Sequence, residues 1–577
     1  MGVFDYKSFG LAGSKDVIFD SLALIGSVPS VVRATGDVLG DLTNKITAYG
    51  PTDSLILEKM VHSEWQLLTA STLGYDGVVD AKGTFFGESV GYTTAESQIF
   101  GKYDANGKLN ELGVVFNGTN DGGDWAYNLS LLTSPAGTAT NYVGEAFDGL
   151  LGDVARYAQA NGLSAADVLV TGLSLGGLAV NSMADLSADY WSGFFKDANY
   201  VAFASPAPSP NDKVLNVGYE QDPVFRVLDS YAPRNLQETL GVHDAPQESA
   251  TNNIVNFNEV YALGSVSEAM FSIINPLAWE SHGGGGGFAR IADSAFYDLT
   301  SKDSTIVVSN LLEATRGSLW VQDLGNYAEP HVGSTFIIGT DTSDSLQGGI
   351  GNDYLEGRDG NDNFRDAGGY NVILGGSGNN TLYVQESTNN LSIANDGAGI
   401  LYIKDAYGGI TTTKDVGALV SKESGSLDVM HSVTDQGLLT ENSLTDYAAS
   451  VKGGAGGDIL IAQTDGDWMF GQNGDDVLFG SQGSEVFVGG EGNDVTVAGS
   501  GNDTLLFSGD FGRDTVFGFQ SSDKLVFVGV GDVDEKYNYI DHAQTAGFNT
   551  VVTFGDNAVT LVGVGLGNLS LDNFAIA

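Results

Sequence analysis

The sequence predicts two joined architectures, an α/β half over residues 1–335 and an all-β parallel roll over residues 336–577. Three observations predict it. Glycine, aspartate and asparagine become periodic after about residue 335. A nine-residue unit then repeats in two separate blocks. In the first half, a short β-branched strand runs through Gly-x-Ser-x-Gly into a helical pattern.

The repeats fix the second half. Five units run from Gly339 to Tyr383 and six from Gly453 to Leu506, following G-G-x-G-x-D-x-U-x with U large and apolar. Such a period marks a stacked architecture. The first six positions form a tight turn in which glycine supplies positive φ and close backbone approach. The last three form a short strand whose U side chain points inward: Leu346, Leu355, Phe364, Ile373, Leu382, Leu460, Met469, Leu478, Phe487 and Leu505, with Thr496 breaking the rule. Position six sets a carboxylate beside turn carbonyls, a donor set that suits Ca²⁺. These acids are Asp344, Asp353, Asp362, Asp458, Asp467, Asp476, Asp494 and Asp503; Asn371, Asn380 and Glu485 depart from aspartate. A flexible linker would show no phase between glycine, acid and apolar residue. The pattern resembles the RTX repeat, the calcium-binding parallel β-roll, and that resemblance implies a roll that folds on binding calcium.

Charge points the same way. Lys+Arg is 25 and Asp+Glu 73, a net charge of −48. Such a surface repels phosphate backbones and anionic headgroups, which excludes nucleic acid as a partner. With no cysteine, disulfides, thiolate metal sites and cysteine nucleophiles are all excluded. No basic-then-apolar leader opens the sequence, and no apolar run is long enough to span a bilayer. Residues 384–452, between the blocks, carry strand patterns such as Ile400-Leu401-Tyr402-Ile403 and predict a small β segment. The ending Leu571-Asp572-Asn573-Phe574-Ala575-Ile576-Ala577 resembles the uncleaved signal of type I secretion substrates. That resemblance implies an ABC exporter as partner and an extracellular, secreted protein.

The nucleophile candidate is Ser174, in Gly172-Leu173-Ser174-Leu175-Gly176. Asp167-Val168-Leu169-Val170-Thr171 before it reads as a strand, and Leu178 to Leu186 after it as a helix. Strand, sharp glycine-flanked turn and helix make a nucleophile elbow. A second match, Gly87-Glu88-Ser89-Val90-Gly91, lacks those flanks and is assigned a structural role. A serine nucleophile needs a base and an orienting acid. Of six histidines, His243, His282 and His331 follow the serine and precede the roll. The acid candidates include Asp212, Asp222, Asp229 and Asp244, and spacing alone leaves both choices open.

From Met1 to about Glu329 the chain resembles the catalytic half of the type I-secreted RTX lipases, a group that includes polyurethane-degrading members. The stretches that carry the likeness include Ala81-Lys82-Gly83-Thr84-Phe85-Phe86-Gly87-Glu88, Asn141-Tyr142-Val143-Gly144-Glu145-Ala146-Phe147, Leu178 to Ser187 and Lys213 to Glu220. The resemblance implies an α/β-hydrolase catalytic domain over 1–335, an RTX β-roll over 336–577, and a secreted carboxylic-ester hydrolase acting on lipid esters. It makes Asp222, in Glu220-Gln221-Asp222-Pro223, the acid and His282, in Trp279-Glu280-Ser281-His282, the base. Oxyanion donors are then the N–H groups of Leu175 and of Thr119, which follows Phe116-Asn117-Gly118. It also implies a further calcium site from Asp244, Asn253 and Glu220. Two alternatives stand beside this reading: a short-chain esterase or polyester hydrolase with a reduced lid, and a non-catalytic calcium-dependent RTX surface protein.

Two features depart from the family. Leu173 stands where its elbow has histidine, and the stretches matching its lids, within residues 21–50 and 123–135, are short. A smaller cover buries less apolar area, at roughly 25 cal/mol per Å², so its closed state is less favoured. Interfacial activation is therefore expected to be weak and contact with a lipid interface transient. The measurement is rate against triglyceride concentration, and a sharp jump at the solubility limit would refute it.

Overall fold

The computed structural model describes residues 2–5, 13–27, 65–118, 142–210, 212–227, 247–263, 278–282, 285–325, 331, 333–423, 427–530 and 539–577. The first half is built on a seven-stranded sheet. Strands β1 (Trp65–Leu67) and β2 (Phe85–Phe86) pair antiparallel with β3 (Glu96–Tyr103), which pairs antiparallel with β4 (Leu109–Phe116). From β4 onward the sheet is parallel through β5 (Val168–Leu173), β6 (Asn199–Phe203) and β7 (Val214–Val217). The sequence of β5, VLVTGL, is buried throughout. That is what a parallel strand covered on both faces requires.

Alternation along β5 feeds two cores. Val168 and Val170 pack with helices α2 (Tyr142–Ala160) and α3 (Leu175–Leu186). Leu169 and Leu173 pack on the other face with α1 (Ser14–Ser27) and α4 (Gly285–Asp293). Helix α2 is kinked at Phe147, where φ is −137° and ψ 24°. Glu88 accepts hydrogen bonds from the freed N–H groups of Gly149 (2.9 Å) and Leu150 (2.7 Å) just beyond the kink. The second Gly-x-Ser-x-Gly stretch thus contributes a helix-restarting acid, and its serine has no elbow.

Pairing does not stop near residue 335. Strands β8 (Ile254–Phe257), β9 (Thr305–Ser309) and β10 (Thr335–Ile338) lie parallel, and β10 pairs in turn with Asp353–Glu356. They belong to one eight-stranded sheet that forms a wall of the first roll block. Two strands of the first half therefore serve as rungs of the second. The opposite wall stacks Ser345–Gln347, Asn363–Arg365 and Thr381–Tyr383 in parallel. Leu346, Leu355, Phe364, Ile373 and Leu382 fill the space between, in one core with Val255, Phe257 and Val307.

The second block repeats this with Leu460, Met469, Leu478, Phe487 and Leu505 in its core. Residues 384–452 do form β structure: antiparallel strands such as Ser392–Asn395 and Ile400–Lys404 extend one wall, and Ala418–Glu423 and Leu427–Val433 the other. Phe574–Ile576 pairs in parallel with Lys524–Val528, and the Asn352 side chain donates to Ile576 O at 3.0 Å. No helix among the described residues is long and apolar enough to cross a membrane.

Candidate active site and ion-binding turns

Ser174 sits where β5 turns into α3, with φ 60° and ψ −121°. An L residue in that region stores roughly 1–3 kcal/mol of strain, which the neighbouring backbone must hold. Ser174 N donates to Phe203 O at 2.9 Å, and Leu178 N donates to Ser174 O at 3.1 Å to begin the helix. The flanking glycines are required by space. A Cβ on Gly176 would lie 2.1 Å from Phe116 O, and one on Gly172 would lie 2.6 Å from Gly176 O. Gly176→Ala is therefore expected to force α3 away from β4 and destabilise the fold by about 3 kcal/mol. Thermal melting is the measurement, and an unchanged melting point would refute this close approach.

Behind the elbow, the buried Asn181 side chain on α3 donates to Gly177 O (2.9 Å) and Asn216 Oδ1 (2.7 Å). It accepts from Ser209 N at 2.8 Å. This polar network ties the helix to β7 across the sheet and was not visible in sequence spacing.

The acid and base meet. His282 Nδ1 lies 2.9 Å from Asp222 Oδ2 and 3.0 Å from Oδ1, with the two residues 4% and 1% exposed. Asp222 Oδ1 also accepts from Val224 N at 2.8 Å, which fixes the carboxylate's orientation. Trp279 packs edge-on to the imidazole, ring centroids 5.5 Å apart. Ser174 is partly exposed and forms no hydrogen bond to the imidazole. Such contacts often tighten only with substrate bound.

In the roll, position-six groups form ladders. The backbone N–H of one sixth residue donates to the sixth side chain two units on: Asp344 N to Asp362 Oδ1 (2.8 Å), Asp458 N to Asp476 Oδ1 (2.7 Å) and Asp476 N to Asp494 Oδ1 (2.9 Å). The second oxygens of Asp362, Asp476, Asp494 and Asp503 are buried without a hydrogen-bond partner.

The model of the RTX calcium-binding nonapeptide repeat matches this chain in four copies, at residues 338–365, 356–387, 452–484 and 474–505. A lipase of Pseudomonas fluorescens is 47% identical over 379 residues, spanning 59% of this chain and 79% of that protein. A second lipase of Pseudomonas fluorescens is 44% identical over 383 residues, spanning 59% and 84%. The chain belongs to the RTX lipase family. The crystal structure of the extracellular lipase LipA from Serratia marcescens aligns over 100% of both chains, with a TM-score of 0.91 and 44% identity.

As in other RTX lipases, the roll binds calcium, and the turns fit it. A buried carboxylate oxygen with no donor is costly unless a cation satisfies it. Burial, the main cause, raises the Asp353 carboxyl to about 7, Asp362 to about 8, Asp494 to about 6 and Asp503 to about 7. Coulombic repulsion from Asp344, Asp476 and Asp523 adds to the last three respectively. With pKa raised in the folded state, the ion-free roll holds protons that the unfolded chain has lost. The stability these four carboxyls contribute is therefore full below about pH 4 and is lost as pH rises through 6 to 8. Protons and calcium compete for the same oxygens, so calcium affinity is expected to fall as pH drops from 8 to 5. Equilibrium dialysis across that range is the check, and a flat profile would refute the competition.

The ladder in this RTX lipase runs past the matched repeats. Asp514 Oδ1 accepts from Asp494 N at 2.8 Å and Asp523 Oδ1 from Asp503 N at 3.0 Å, in both cases 20 residues apart. Within the blocks the spacing is 18. Two inserted residues hid these acids from a fixed-period reading.

Other expected residues have different settings. Leu175 is the first residue of α3 and is buried. Thr119 lies outside the described residues, as do Asp244, His243 and the stretch 123–135; of the segment 21–50, only residues 21–27 are described. Asn117 donates from Nδ2 to Glu96 Oε2 at 2.9 Å. Asn253 donates its amide to Asp303 O at 2.6 Å. Glu220 Oε2 lies 2.8 Å from His331 Nε2, whose Nδ1 is 3.0 Å from Asp323 Oδ1. Burial alone pushes His331 down, but the Asp323 and Glu220 carboxylates outweigh it and raise the imidazole to about 10. Glu220 is thus engaged by a cationic side chain. Among the described residues, no three His, Asp or Glu side chains cluster to share one ion. In the roll, turn carbonyls must accordingly complete each site.

Proposed function

We propose that this protein is a secreted lipase that hydrolyses carboxylic esters of lipids through Ser174, His282 and Asp222. The observation that carries the reading is the buried Asp222–His282 pair at 2.9 Å, together with a serine held at φ 60° between a strand and a helix. Asp222 holds Nδ1–H, which leaves Nε2 as the basic nitrogen. His282 takes the proton of Ser174 as Oγ attacks the ester carbonyl, and returns it to the leaving alcohol. Water, activated by the same imidazole, then releases the acid. The tetrahedral oxyanion would be met by the N–H of Leu175, unpaired within the first turn of α3, and by that of Thr119. Residues 1–335 carry this chemistry.

Residues 336–577 supply the roll, in which Asp344, Asp353, Asp362, Asp458, Asp467, Asp476, Asp494 and Asp503 would hold calcium, with Asp514 and Asp523 continuing the rows. Calcium there supplies charge neutralisation and a folded scaffold, not a step in ester cleavage. Asp244 and Asn253 are proposed as a lesser site in the catalytic half, without Glu220, which His331 engages. The exporter-type ending and the repeats support passage through a type I ABC exporter. A fluorophosphonate probe tests the enzyme reading: it should label the wild-type chain at Ser174 and leave Ser174→Ala unlabelled. Labelling of neither would leave the non-catalytic surface protein standing. Rates across ester chain lengths separate a lipase from a short-chain esterase.

A further inference from the structure

The sixth positions of the roll carry either a carboxylate or an amide, and the two meet opposite surroundings. A Cβ placed on Gly357 would lie 2.5 Å from Asp362 Oδ2 and 2.6 Å from Gly375 O. One on Gly471 would lie 2.3 Å from Gly489 O and 2.4 Å from Asp476 Oδ2. In each turn a carboxylate oxygen and the carbonyl of the turn two units on face one small space. Two acceptors cannot bond each other; a hard cation satisfies both.

At Gly375 the same position meets Asp415 O at 2.2 Å and Asn380 Nδ2 at 2.7 Å. The second group is now a donor. Asn380 Nδ2 donates to Asp415 O at 3.0 Å and to Gly376 O at 3.2 Å. Asn371 Nδ2 donates to Asp366 Oδ1 at 2.8 Å and Gly368 O at 3.0 Å. Both keep the other half of the carboxylate's work, since Asn380 Oδ1 accepts from Asp362 N and Asn371 Oδ1 from Asp353 N, each at 2.9 Å.

The opposite end of this block keeps facing acceptors: a Cβ on Gly339 would lie 2.8 Å from Gly357 O and 3.2 Å from Asp344 Oδ2. Asp344 Oδ1 accepts from Ser309 Oγ at 2.6 Å, with Arg316 Nε 3.6 Å away. Its Oδ2 accepts from Thr340 N and Oγ1, both at 2.7 Å. Within the first block only Asp362 keeps a buried unpartnered oxygen, whereas Asp476, Asp494 and Asp503 all do in the second.

We infer that Asn371 and Asn380 take the ion's place at one end of the first block. This gives the first block a lower calcium requirement than the second, although the two share a core that includes Tyr402, Trp468 and Phe470. The inference rests on the roll's calcium binding and is independent of the ester chemistry. It gives the catalytic half a neighbour that stays folded when calcium is scarce.

The test uses the full-length protein, with calcium counted by equilibrium dialysis and backbone protection followed by hydrogen exchange as free calcium is lowered. Residues 453–506 should lose protection first, and residues 335–383 only at about ten-fold lower free calcium. Asn380→Asp turns the donor into a second facing acceptor. It should bind one more ion per chain than wild type and move the first block's loss of protection to higher calcium. Asp362→Asn should bind one ion fewer and keep the first block protected after chelation. Loss of protection in both blocks at the same calcium level would overturn the inference, as would an unchanged ion count in a folded Asn380→Asp chain. Should Asn380→Asp fail to protect its first block even in saturating calcium, Asp362→Asn decides alone, and a wild-type ion count there is a refutation.

Discussion

Ser174→Ala is expected to abolish ester hydrolysis while leaving the fold and calcium binding unchanged. The hydroxyl is the attacking group and makes no hydrogen bond to His282 that the fold would miss. In serine hydrolases, losing the nucleophile or base lowers turnover by about 10⁶, and the remaining members cannot compensate because they act as a unit. His282→Ala should therefore match Ser174→Ala. Asp222→Asn should cost about 10⁴, since it keeps the shape but favours the wrong imidazole tautomer. Ser89→Ala should change little, because its neighbour Glu88 serves the α2 kink and no elbow exists there. Turnover of a soluble ester by each purified variant, alongside its circular dichroism, decides the matter. Activity of Ser174→Ala above a few per cent of wild type, or a His243→Ala variant as inactive as Ser174→Ala, would sink the assignment.

Chelation is expected to cost the roll its β signal and expand the chain in solution scattering, beginning with the second block. Unpartnered oxygens of Asp476, Asp494 and Asp503 are buried, and that of Asp476 shares its space with Gly489 O. At an effective dielectric near 20, two carboxylates about 4 Å apart repel by on the order of 4 kcal/mol. Each ion that binds only the folded state adds about 2.7 kcal/mol when calcium exceeds its dissociation constant a hundredfold. A few such sites rival the whole stability of an ordinary domain, about 5–15 kcal/mol. A circular dichroism spectrum and radius unchanged after exhaustive chelation would refute calcium-dependent folding.

Legibility in the sequence followed locality. The elbow was readable because strand, turn and helix are contiguous, and the roll because its period is strict: Leu346 through Leu382 are all buried, as their phase requires. The pairing of Asp222 with His282 joins residues 60 apart. Spacing left it open, and likeness to known lipases selected it. Asp514 and Asp523 escaped because two inserted residues broke the period while the stacking absorbed them. His331 stayed among the candidate bases by position, yet it is held between Glu220 and Asp323, 111 and 8 residues away. Long-range ion pairs leave no periodic trace. The same is true of β8 and β9, whose apolar runs give no hint of which sheet they join.

That shared sheet bears on what happens when the chain is cut. β9 pairs with β8 on one side and with β10 on the other. A cleavage that removed everything from Thr335 onward would open the β10 side of Thr305–Ser309, baring a row of unpaired N–H and C=O groups. Beside it, Val255, Phe257 and Val307 would lose much of the core that covers them. An open edge flanked by apolar surface is a template for a strand from a second molecule. A shed catalytic half is therefore expected to associate edge to edge with its own kind. Light scattering of a chain ending before Thr335 is the check, and a stable monomer would refute it.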